Sequence, residues 1–579
     1  MQGRKTLLVL LTILLTFSIV LAACGGKETG STPPPNSEGE KKEGEKKEEA
    51  VSGPKEGGVV TYAVEGTFEG LFEPALSSST TDSMVTRFMY EDMFTFDENL
   101  QMQPHIATWE TDDNVVYTLK IKEGVKWHNG EELTVEDWKF VLEVIAHPDY
   151  TGPRFNYVRH IVGAEEMKDG KADSISGVEI LDPYTMKITF LEPQVNNLEQ
   201  LWSKPMPKKH LEGIEIAKLE EAEQIRMNPV GLGPFKVKSV VPGEHVVYER
   251  FDDYWQGKPY LDGVTVKIID SSVVVGELKN ESVHIIRIKN VMIPEIKTLS
   301  SVDVHSTKGL VYYYVAFKLG HYDKEQRVNI MDNPKFQNKN LRKAMYYAID
   351  REGIIDAYFG GLAEVVNTPV PSVHWIKADE STLTQYNYDP EKAKQLLAEA
   401  GYKDIDGDGF VEDPEGNKLQ IRFHHQKGDA SFEGRAQALT QNWRDIGLDV
   451  ELQELKDPVL HYDLIEADDP SIDMFWGGWS TGSDPDPKGL WYSTDLWNYP
   501  RWVNKESDEL LDRALSPEAF DVEKRKQLYI EWQKIVNEEL PMLPLFESKD
   551  SHAINKKLKG VTIDWSGNQR DMHKWYLEQ

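Results

Sequence analysis

The chain contains a single cysteine, Cys24, among its 579 residues, so no disulfide can form within it. Its stability must therefore come from ordinary hydrophobic cores, and a chain of this length usually divides into two to four domains. It carries 65 basic and 97 acidic side chains, which give a formal net charge of −32. Such a surface repels nucleic-acid phosphates, and we predict no nucleic-acid partner.

The first residues have the layout of an export signal. Arg4 and Lys5 precede an apolar run over residues 7–21, and small residues lead up to Cys24. This pattern is typical of a cleaved secretory signal rather than of a membrane span. The segment is similar to the lipobox of bacterial lipoproteins, which implies removal of residues 1–23 and attachment of lipid to the Cys24 sulfur. An ordinary signal peptide with an incidental cysteine is the alternative.

Residues 24–57 are predicted to form a disordered tether. They lack hydrophobic periodicity and contain a proline triplet followed by a long run of Glu, Lys and Gly. Such a segment cannot bury enough apolar surface to fold. Together with the lipid, it would hold the folded body at the outer, extracytoplasmic face of the cell membrane.

Helix and strand patterns interleave along the rest of the chain. Residues 117–122 alternate apolar and polar side chains, as a half-buried strand does. Thr134 and Asp137 have the spacing of a capping box, and Asp389 followed by Pro390 begins another helix. This interleaving predicts an α/β fold rather than a helical bundle or a β-sandwich.

Four stretches of the chain carry motifs that are weak singly and specific together. They are residues 104–137 with Trp127-His128-Asn129-Gly130, residues 228–259 with Gly231-Leu232-Gly233-Pro234, residues 341–351, and residues 388–402. In this order they resemble the bacterial oligopeptide-type (family 5) substrate-binding lipoproteins of ABC importers. We interpret most of these residues as structural, because motif glycines and helix caps usually set backbone shape.

The resemblance implies a two-lobed, periplasmic-binding-protein-like fold of type II with an extra inserted domain and a hinged cleft. Lobe I would comprise residues 58–93, 201–308 and 549–579, the extra domain residues 94–200, and lobe III residues 309–548. The protein would be a monomeric receptor, not an enzyme, that captures oligopeptides by lobe closure and delivers them to the permease subunits. No cofactor would be required.

The segment that begins at Trp476 contains the strongest candidate binding residues. In the family, a segment like Gly478-Trp479-Ser480 pairs with the main chain of the ligand as an added strand. The glycines beside Trp479 would let another backbone approach closely. We therefore predict that Trp476, Gly478, Trp479 and Ser480 line the ligand site.

Asp484 is the first candidate to hold the α-amino group of a peptide, and Asp486 is the second, because a carboxylate in a closed cleft makes charge-assisted hydrogen bonds with a cation. In many relatives the aspartate follows the tryptophan sooner, where this chain has Thr481-Gly482-Ser483. A rigid surface turn at residues 484–487 is the alternative, since Asp before Pro often begins one.

Ser78, Ser79 and Thr80 lie in a Ser/Thr-rich loop. This loop is similar to the wall of the family's ligand cleft that faces the segment beginning at Trp476. We predict ligand contacts for these three residues. The alternative is a solvated loop, because clusters of Ser, Thr and Asp are common in loops.

Residues 404–415 match the spacing of an EF-hand calcium loop. Acids at positions 1, 3, 5 and 12 and a glycine at position 6 would converge on one hard cation. The candidate calcium ligands are Asp404, Asp406, Asp408, Phe410 (through its carbonyl) and Glu415. A hairpin that holds no metal is the alternative, because residues 416–419 have the pattern of a hairpin rather than of a second helix.

Two other functions stay open. The receptor could carry an oligosaccharide, with aromatic rings stacking on the sugars, or a nickel complex or haem; the candidate rings are Trp476, Trp479, Trp491 and Trp497. A secreted hydrolase would use Asp484 and Asp486 as paired carboxylates. The chain lacks a His-Glu-x-x-His motif, and the two aspartates lie two residues apart in one loop rather than on separate elements, which disfavours the hydrolase.

Overall fold

A computed structural model describes residues 54–564 and 569–578 of the chain. The predicted signal peptide, Cys24 and residues 24–53 of the predicted tether lie outside the described residues.

Many of the described helices begin at polar caps. Asp137 accepts a hydrogen bond from the Thr134 N–H (3.0 Å), and Asp389 accepts one from the Lys392 N–H (2.9 Å), so both predicted helix starts are confirmed. None of the described helices is both long and apolar enough to span a bilayer. The α-helices are α1 Thr80–Thr86, α2 Val135–Ala146, α3 Ala164–Lys168, α4 Glu223–Arg226, α5 Val274–Lys279, α6 Ile293–Ile296, α7 Lys339–Tyr347, α8 Arg351–Phe359, α9 Pro390–Glu399, α10 Ala430–Arg444, α11 Pro458–Glu466, α12 Lys488–Trp491, α13 Lys505–Arg513 and α14 Val522–Glu539.

The strand predicted at residues 117–122 is confirmed one residue earlier, at Val116–Ile121, with alternate side chains in the core. The strands are β1 Val59–Glu65, β2 Phe94–Phe96, β3 Met102–Pro104, β4 Ala107–Glu110, β5 Val116–Ile121, β6 Val178–Asp182, β7 Thr185–Thr189, β8 Phe235–Val241, β9 His245–Arg250, β10 Gly263–Ile269, β11 Ile285–Ile288, β12 Val302–Phe317, β13 His321–Asp323, β14 Val328–Ile330, β15 Ala363–Val365, β16 Gln420–His424, β17 Asp449–Leu452, β18 Met474–Ser480, β19 Met542–Asn555, β20 Leu558–Lys559, β21 Thr562–Ile563, β22 Gln569–Arg570 and β23 Tyr576–Leu577.

The largest described sheet has the strand order β17-β16-β18-β12-β19-β11-β1-β10-β9-β8, and β15 pairs with β19 beside it. Its two ends pack against separate hydrophobic cores, one around β1 and β10 and one around β16 and β18. A four-stranded antiparallel sheet, β4-β5-β7-β6, packs with α2 around a further core. Mixed sheets covered by helices are the α/β architecture that the interleaved pattern predicts.

The long strands β12 and β19 run through both halves of the largest sheet. They pair from Val302↔Asn555 to Lys308↔Lys549, and the pairing resumes only at Tyr312↔Glu547. Three residues of β12 therefore oppose one residue of β19, which is a bulge that bends a strand pair. The predicted lobe boundaries at residues 308/309 and 548/549 lie beside this bulge, and those boundaries stay a prediction.

Candidate functional site

Strand β18 carries the predicted peptide-pairing residues and has an unpaired edge. On one side it pairs with β12 along its whole length, from Phe317↔Met474 to Val311↔Ser480. On the other side, β16 pairs only with Met474 and Phe475. Among the described strands no other pairs with residues 476–480, but the His461 ring lies 2.8 Å from the Trp476 carbonyl oxygen, so the edge is open to a further strand only beyond Trp476.

The backbone groups of β18 point alternately to its two sides. The Thr481 N–H donates to a carbonyl of β12 at 2.9 Å, so the even-numbered residues direct their N–H and C=O groups to the unpaired edge. There the Gly478 N–H donates to the Tyr462 hydroxyl (3.2 Å). The N–H and C=O of the exposed Ser480 have no partner within the described chain. Ser480 therefore offers one free donor and one free acceptor.

The two glycines of β18 make room for tyrosine rings. A Cβ at Gly477 would lie 2.5 Å from the Tyr314 ring, and a Cβ at Gly478 would lie 2.9 Å from the Tyr313 ring. Both tyrosines belong to the neighbouring strand β12. The glycines thus have a packing reason within the protein, in addition to the predicted approach of a ligand backbone.

The four candidate tryptophans have different surroundings. Trp476 and Trp491 are buried. Trp479 stacks on Tyr499 with ring centroids 5.4 Å apart and planes 21° apart. Trp497 is 47% exposed. Of the four, only Trp497 has large exposure, so they do not form a shared aromatic platform.

A cavity of about 390 Å³ lies beside this strand. Residues 63–65 of β1 and residues 287–291 after β11 form one wall, and α8 and α10 contribute the other. Its floor includes Tyr313, which is paired with Gly478 of β18. The lining contains four basic and three acidic side chains: Arg287, Lys289, Arg435, Lys549, Glu65, Asp429 and Asp550. This volume is in the range of pockets that bind small ligands.

Both predicted ammonium partners already have partners within the protein. Arg525 Nη2 donates to Asp484 Oδ1 at 2.8 Å, and the Asn196 amide donates to the other oxygen of Asp484. The Tyr529 hydroxyl donates to Asp486 at 3.3 Å. An incoming ammonium would have to compete with these groups, and the contact of either aspartate with a ligand stays a prediction.

The carboxyl groups of Glu199, Asp484 and Asp486 form an acidic cluster around the single guanidinium of Arg525. Burial, and then the charge of Asp484, raise the pKa of Glu199 to about 8. The same two causes raise the pKa of Asp486 to about 7. Like charges close together in a poorly solvated place cannot all ionise, so the cluster retains protons near neutral pH.

A second cavity, of about 140 Å³, connects the end of β18 with the aspartates. Ser480, Asp484 and His374 are among its lining residues. The His374 ring nitrogen Nε2 is 3.2 Å from the Thr481 hydroxyl. Burial lowers the pKa of His374 to about 4, so this ring is neutral at physiological pH. Ser480 and Asp484, both predicted site residues, thus face one small cavity.

The Ser/Thr-rich loop forms the start of helix α1. The Ser79 hydroxyl accepts a hydrogen bond from the Asp82 N–H (3.2 Å) and caps the helix. Met84 of this helix lines the larger cavity, whereas Ser78, Ser79 and Thr80 line neither cavity. Their ligand contacts stay a prediction.

Of the predicted calcium ligands, the structure brings Asp404 and Asp406 together with Glu412, an acid outside the predicted set, and the role of Glu415 stays a prediction. Ligand oxygens of Asp404, Asp406 and Glu412 lie within 4.8 Å of one another. The chain reverses after Glu412, which bridges both residue 403 and residue 418, so Glu415 falls in the turn of a hairpin. Lys418 Nζ lies 2.9 Å from carboxylate oxygens of both Asp406 and Asp408 and partly neutralises the group. The Phe410 carbonyl and the binding of calcium itself stay predictions.

Sequence reasoning missed Asn196, Glu199, Arg435 and Arg525. Asn196 and Asp484 are 288 residues apart, and no local pattern relates them. Arg435 is buried on the inner face of α10. The signal in the sequence was an arginine among the apolar residues that this face of the helix presents. Side chains that acquire their role through tertiary burial are not recognisable from spacing.

The family model for bacterial extracellular solute-binding proteins, family 5 Middle, matches residues 101–500. The chain is 28% identical to the oligopeptide-binding protein AppA of Bacillus subtilis (strain 168) over 589 residues, which covers all of both chains. The solved structure of AppA from Bacillus subtilis in complex with a nonapeptide has a TM-score of 0.70 and 26% identity, over 91% of this chain and all of that chain.

Lactococcal OppA, solved with an endogenous peptide in the closed conformation, has a TM-score of 0.75 at 24% identity, over 90% of this chain and all of that chain. At that identity the likeness shows the fold, and it confirms the two-lobed α/β class. The family match covers well over half of the residues. The chain therefore belongs to the bacterial extracellular solute-binding proteins of family 5.

Proposed function

We propose that this protein is the substrate-binding component of an ABC importer and that it captures oligopeptides. The observation that carries the proposal is the edge of β18 at Ser480, whose N–H and C=O have no partner within the described chain, near a cavity of about 390 Å³ that the neighbouring strand β12 lines. A peptide added there as a strand would gain main-chain hydrogen bonds that do not depend on its sequence. The oligopeptide-binding relatives support the same cargo class.

Other cargoes have less support. Recognition of a sugar by stacking needs accessible aromatic faces, and Trp476 and Trp491 are buried while Trp479 stacks on Tyr499. Hydrolysis by the two aspartates is disfavoured, because Asp484 is ion-paired with Arg525 and the family is a solute-binding class.

Capture would involve closure of the lobes, with a change of backbone angles at the bulge between Lys308 and Tyr312. Contacts that the peptide makes only in the closed state would supply the differential binding that drives this change. The closed, loaded receptor would then deliver its cargo to the permease subunits as a monomer.

We also propose that lipid on Cys24 anchors the receptor to the outer face of the cell membrane, with residues 24–57 as the tether. The lipobox-like sequence before Cys24 supports this. Replacement of Cys24 by Ser should move the protein from the membrane fraction to the medium, and unchanged membrane retention would contradict the anchor.

The experiment that tests peptide capture compares Ser480→Pro with Ser480→Ala. Proline removes the free N–H at the unpaired edge and leaves the pairing with β12 intact, because edge positions tolerate proline. We expect Ser480→Pro to lower peptide affinity about tenfold, since it removes a main-chain hydrogen bond. Ser480→Ala keeps the N–H and should bind as the native protein does.

Mass spectrometry of ligands retained after purification gives the cargo directly. Peptides in the native protein, and fewer in Ser480→Pro, would support the proposal. A retained sugar or metal complex with no peptide, or equal peptide affinity in both variants, would overturn the cargo or the pairing site respectively.

A further inference from the structure

Five arginines of the described chain are at most 4% exposed, and four of them have oxygen acceptors. Those four donate to carbonyl or carboxylate oxygens as follows: Arg342 to Leu540 O (3.0 Å), Arg351 to Val366 O (2.9 Å), Arg501 to Asp468 (2.7 Å) and Arg525 to Asp484 (2.8 Å). Arg435 differs from the others, because its one described hydrogen bond goes to a nitrogen: Nε donates to His425 Nε2 at 3.3 Å.

The guanidinium of Arg435 lies close to two aromatic rings. Its central carbon lies 3.7 Å from the centroid of the Phe432 ring and 4.4 Å from that of Trp476. Nη2 is buried and has no hydrogen-bond partner. Burial lowers the pKa of Arg435 to about 10, so the group still carries its charge at neutral pH. A buried cation with an unpartnered donor and no carboxylate in contact is costly, and such a cost points to a partner that arrives with a ligand.

Arg435 is also the one basic side chain in the lining of the larger cavity that has no ion pair among the described contacts. The other basic side chains of the lining are ion-paired with carboxylates: Arg287 with Asp550, Lys289 with Glu65, and Lys549 with Glu364. Asp429, the cap of α10, accepts a hydrogen bond from the Ser431 N–H (2.9 Å); its charge acts to raise the pKa of Arg435, but the two groups form no ion pair among the described contacts. The unmatched positive charge is therefore at Arg435.

We propose that Arg435 binds a carboxylate of the captured peptide in the cavity beside β18. This proposal rests on the proposed peptide function and adds the chemistry of one subsite to it. A guanidinium matches a carboxylate with two parallel hydrogen bonds, and contact with the rings of Phe432 and Trp476 restricts the side chain in advance. Trp476 belongs to β18, so a peptide paired with the edge at Gly478 would run close to this group.

The carboxylate could be the C-terminus of the peptide or an Asp or Glu side chain. Three randomised nonapeptide libraries separate these sources: free C-termini without Asp and Glu, amidated C-termini without Asp and Glu, and amidated C-termini with Asp and Glu. Retention of each library by the native protein and by Arg435→Gln is measured by mass spectrometry. We expect the native protein to retain one or both carboxylate-bearing libraries about tenfold to hundredfold better than the amidated, acid-free library.

Arg435→Gln should lose this preference and bind all three libraries alike. Arg435→Lys keeps the positive charge but lacks the paired N–H donors of the guanidinium, so it should keep part of the preference for the carboxylate-bearing libraries. Equal retention of the three libraries by the native protein, or an unchanged preference in Arg435→Gln, would overturn the proposal while leaving peptide capture intact. Retention of no library by the native protein would instead overturn the proposed function. We expect the melting temperature of Arg435→Gln to be no lower than that of the native protein, because the variant removes an unpaired buried charge.

Discussion

At the scale of single residues, the glycines of β18 show how tightly the site is packed. A methyl group at position 477 would lie 2.5 Å from the Tyr314 ring, which is closer than carbon atoms approach in proteins. We expect Gly477→Ala to lower the free energy of unfolding by about 1–3 kcal/mol, because overpacking forces the tyrosine out of its place. Urea denaturation of the native and variant proteins measures this.

Gly482→Ala is the matched control for this substitution. A Cβ there would have only the Asp484 nitrogen nearby, at 3.9 Å. We expect a change within about 0.5 kcal/mol, as for most substitutions away from packed features. If the two glycine variants were equally stable, the packing argument for Gly477 would be wrong.

Single residues were predictable where their role is local. The caps at Thr134, Asp137 and Asp389 depend on neighbours three residues away, and the structure confirms them. The surroundings of Asp484 depend on Arg525 and Asn196, which lie far along the chain. The sequence therefore identified the aspartate and could not identify what neutralises it.

At the scale of elements, the acidic hairpin at residues 403–418 contains a lysine, Lys418, that forms ion pairs with two of its carboxylates. The Lys418 ammonium sits 2.9 Å from both Asp406 and Asp408, so a calcium ion would have to displace it. We expect calcium to raise the melting temperature of Lys418→Ala more than that of the native protein, since ligand binding to the folded state stabilises it. Thermal unfolding with millimolar calcium or with a chelator measures the difference.

Addition of Asp404→Asn to Lys418→Ala should remove the calcium effect, because it deletes one of the converging oxygens. An equal calcium effect in the native protein and in Lys418→Ala would show that the lysine does not compete with the ion.

The same hairpin shows why a spacing motif can fail within an element. The EF-hand pattern places an acid at position 12 on the assumption that a helix follows the loop. Here Glu412 bridges residue 418 in a strand-like hairpin, so the third converging oxygen comes from Glu412, and Glu415 lies in the turn of the hairpin. The helices and strands with clear periodicity needed no such assumption, and their positions agree with the structure to within one or two residues.

At the scale of the whole molecule, the chain topology could not be derived from periodicity. Strand β1 pairs with β10 and β11, more than 190 residues later, and β19 returns from the C-terminal part to complete the sheet. Alternation of apolar residues does not determine which strands are neighbours. The two-lobed arrangement came from the family resemblance, which the comparisons confirm.

The acidic cluster joins segments that the sequence assigned to different domains. Asn196 and Glu199 belong to the predicted extra domain, and Asp484, Asp486 and Arg525 belong to predicted lobe III. Burial raises the pKa of Glu199 from its ordinary value near 4.5 to about 8. Between these values the unfolded chain is ionised while the folded protein keeps the proton, so stability falls as pH rises.

We therefore expect the stability contributed by Glu199 to be fully present below pH about 4.5 and lost as pH rises through about 8. Glu199→Gln stays neutral, so its melting temperature should match that of the native protein near pH 5 and exceed it near pH 8.5. Asp486→Asn should act in the same direction over a range that ends near pH 7. If the melting temperatures of Glu199→Gln and the native protein differed by the same amount at every pH, the amide would act through packing, and protonation of Glu199 would not contribute to stability.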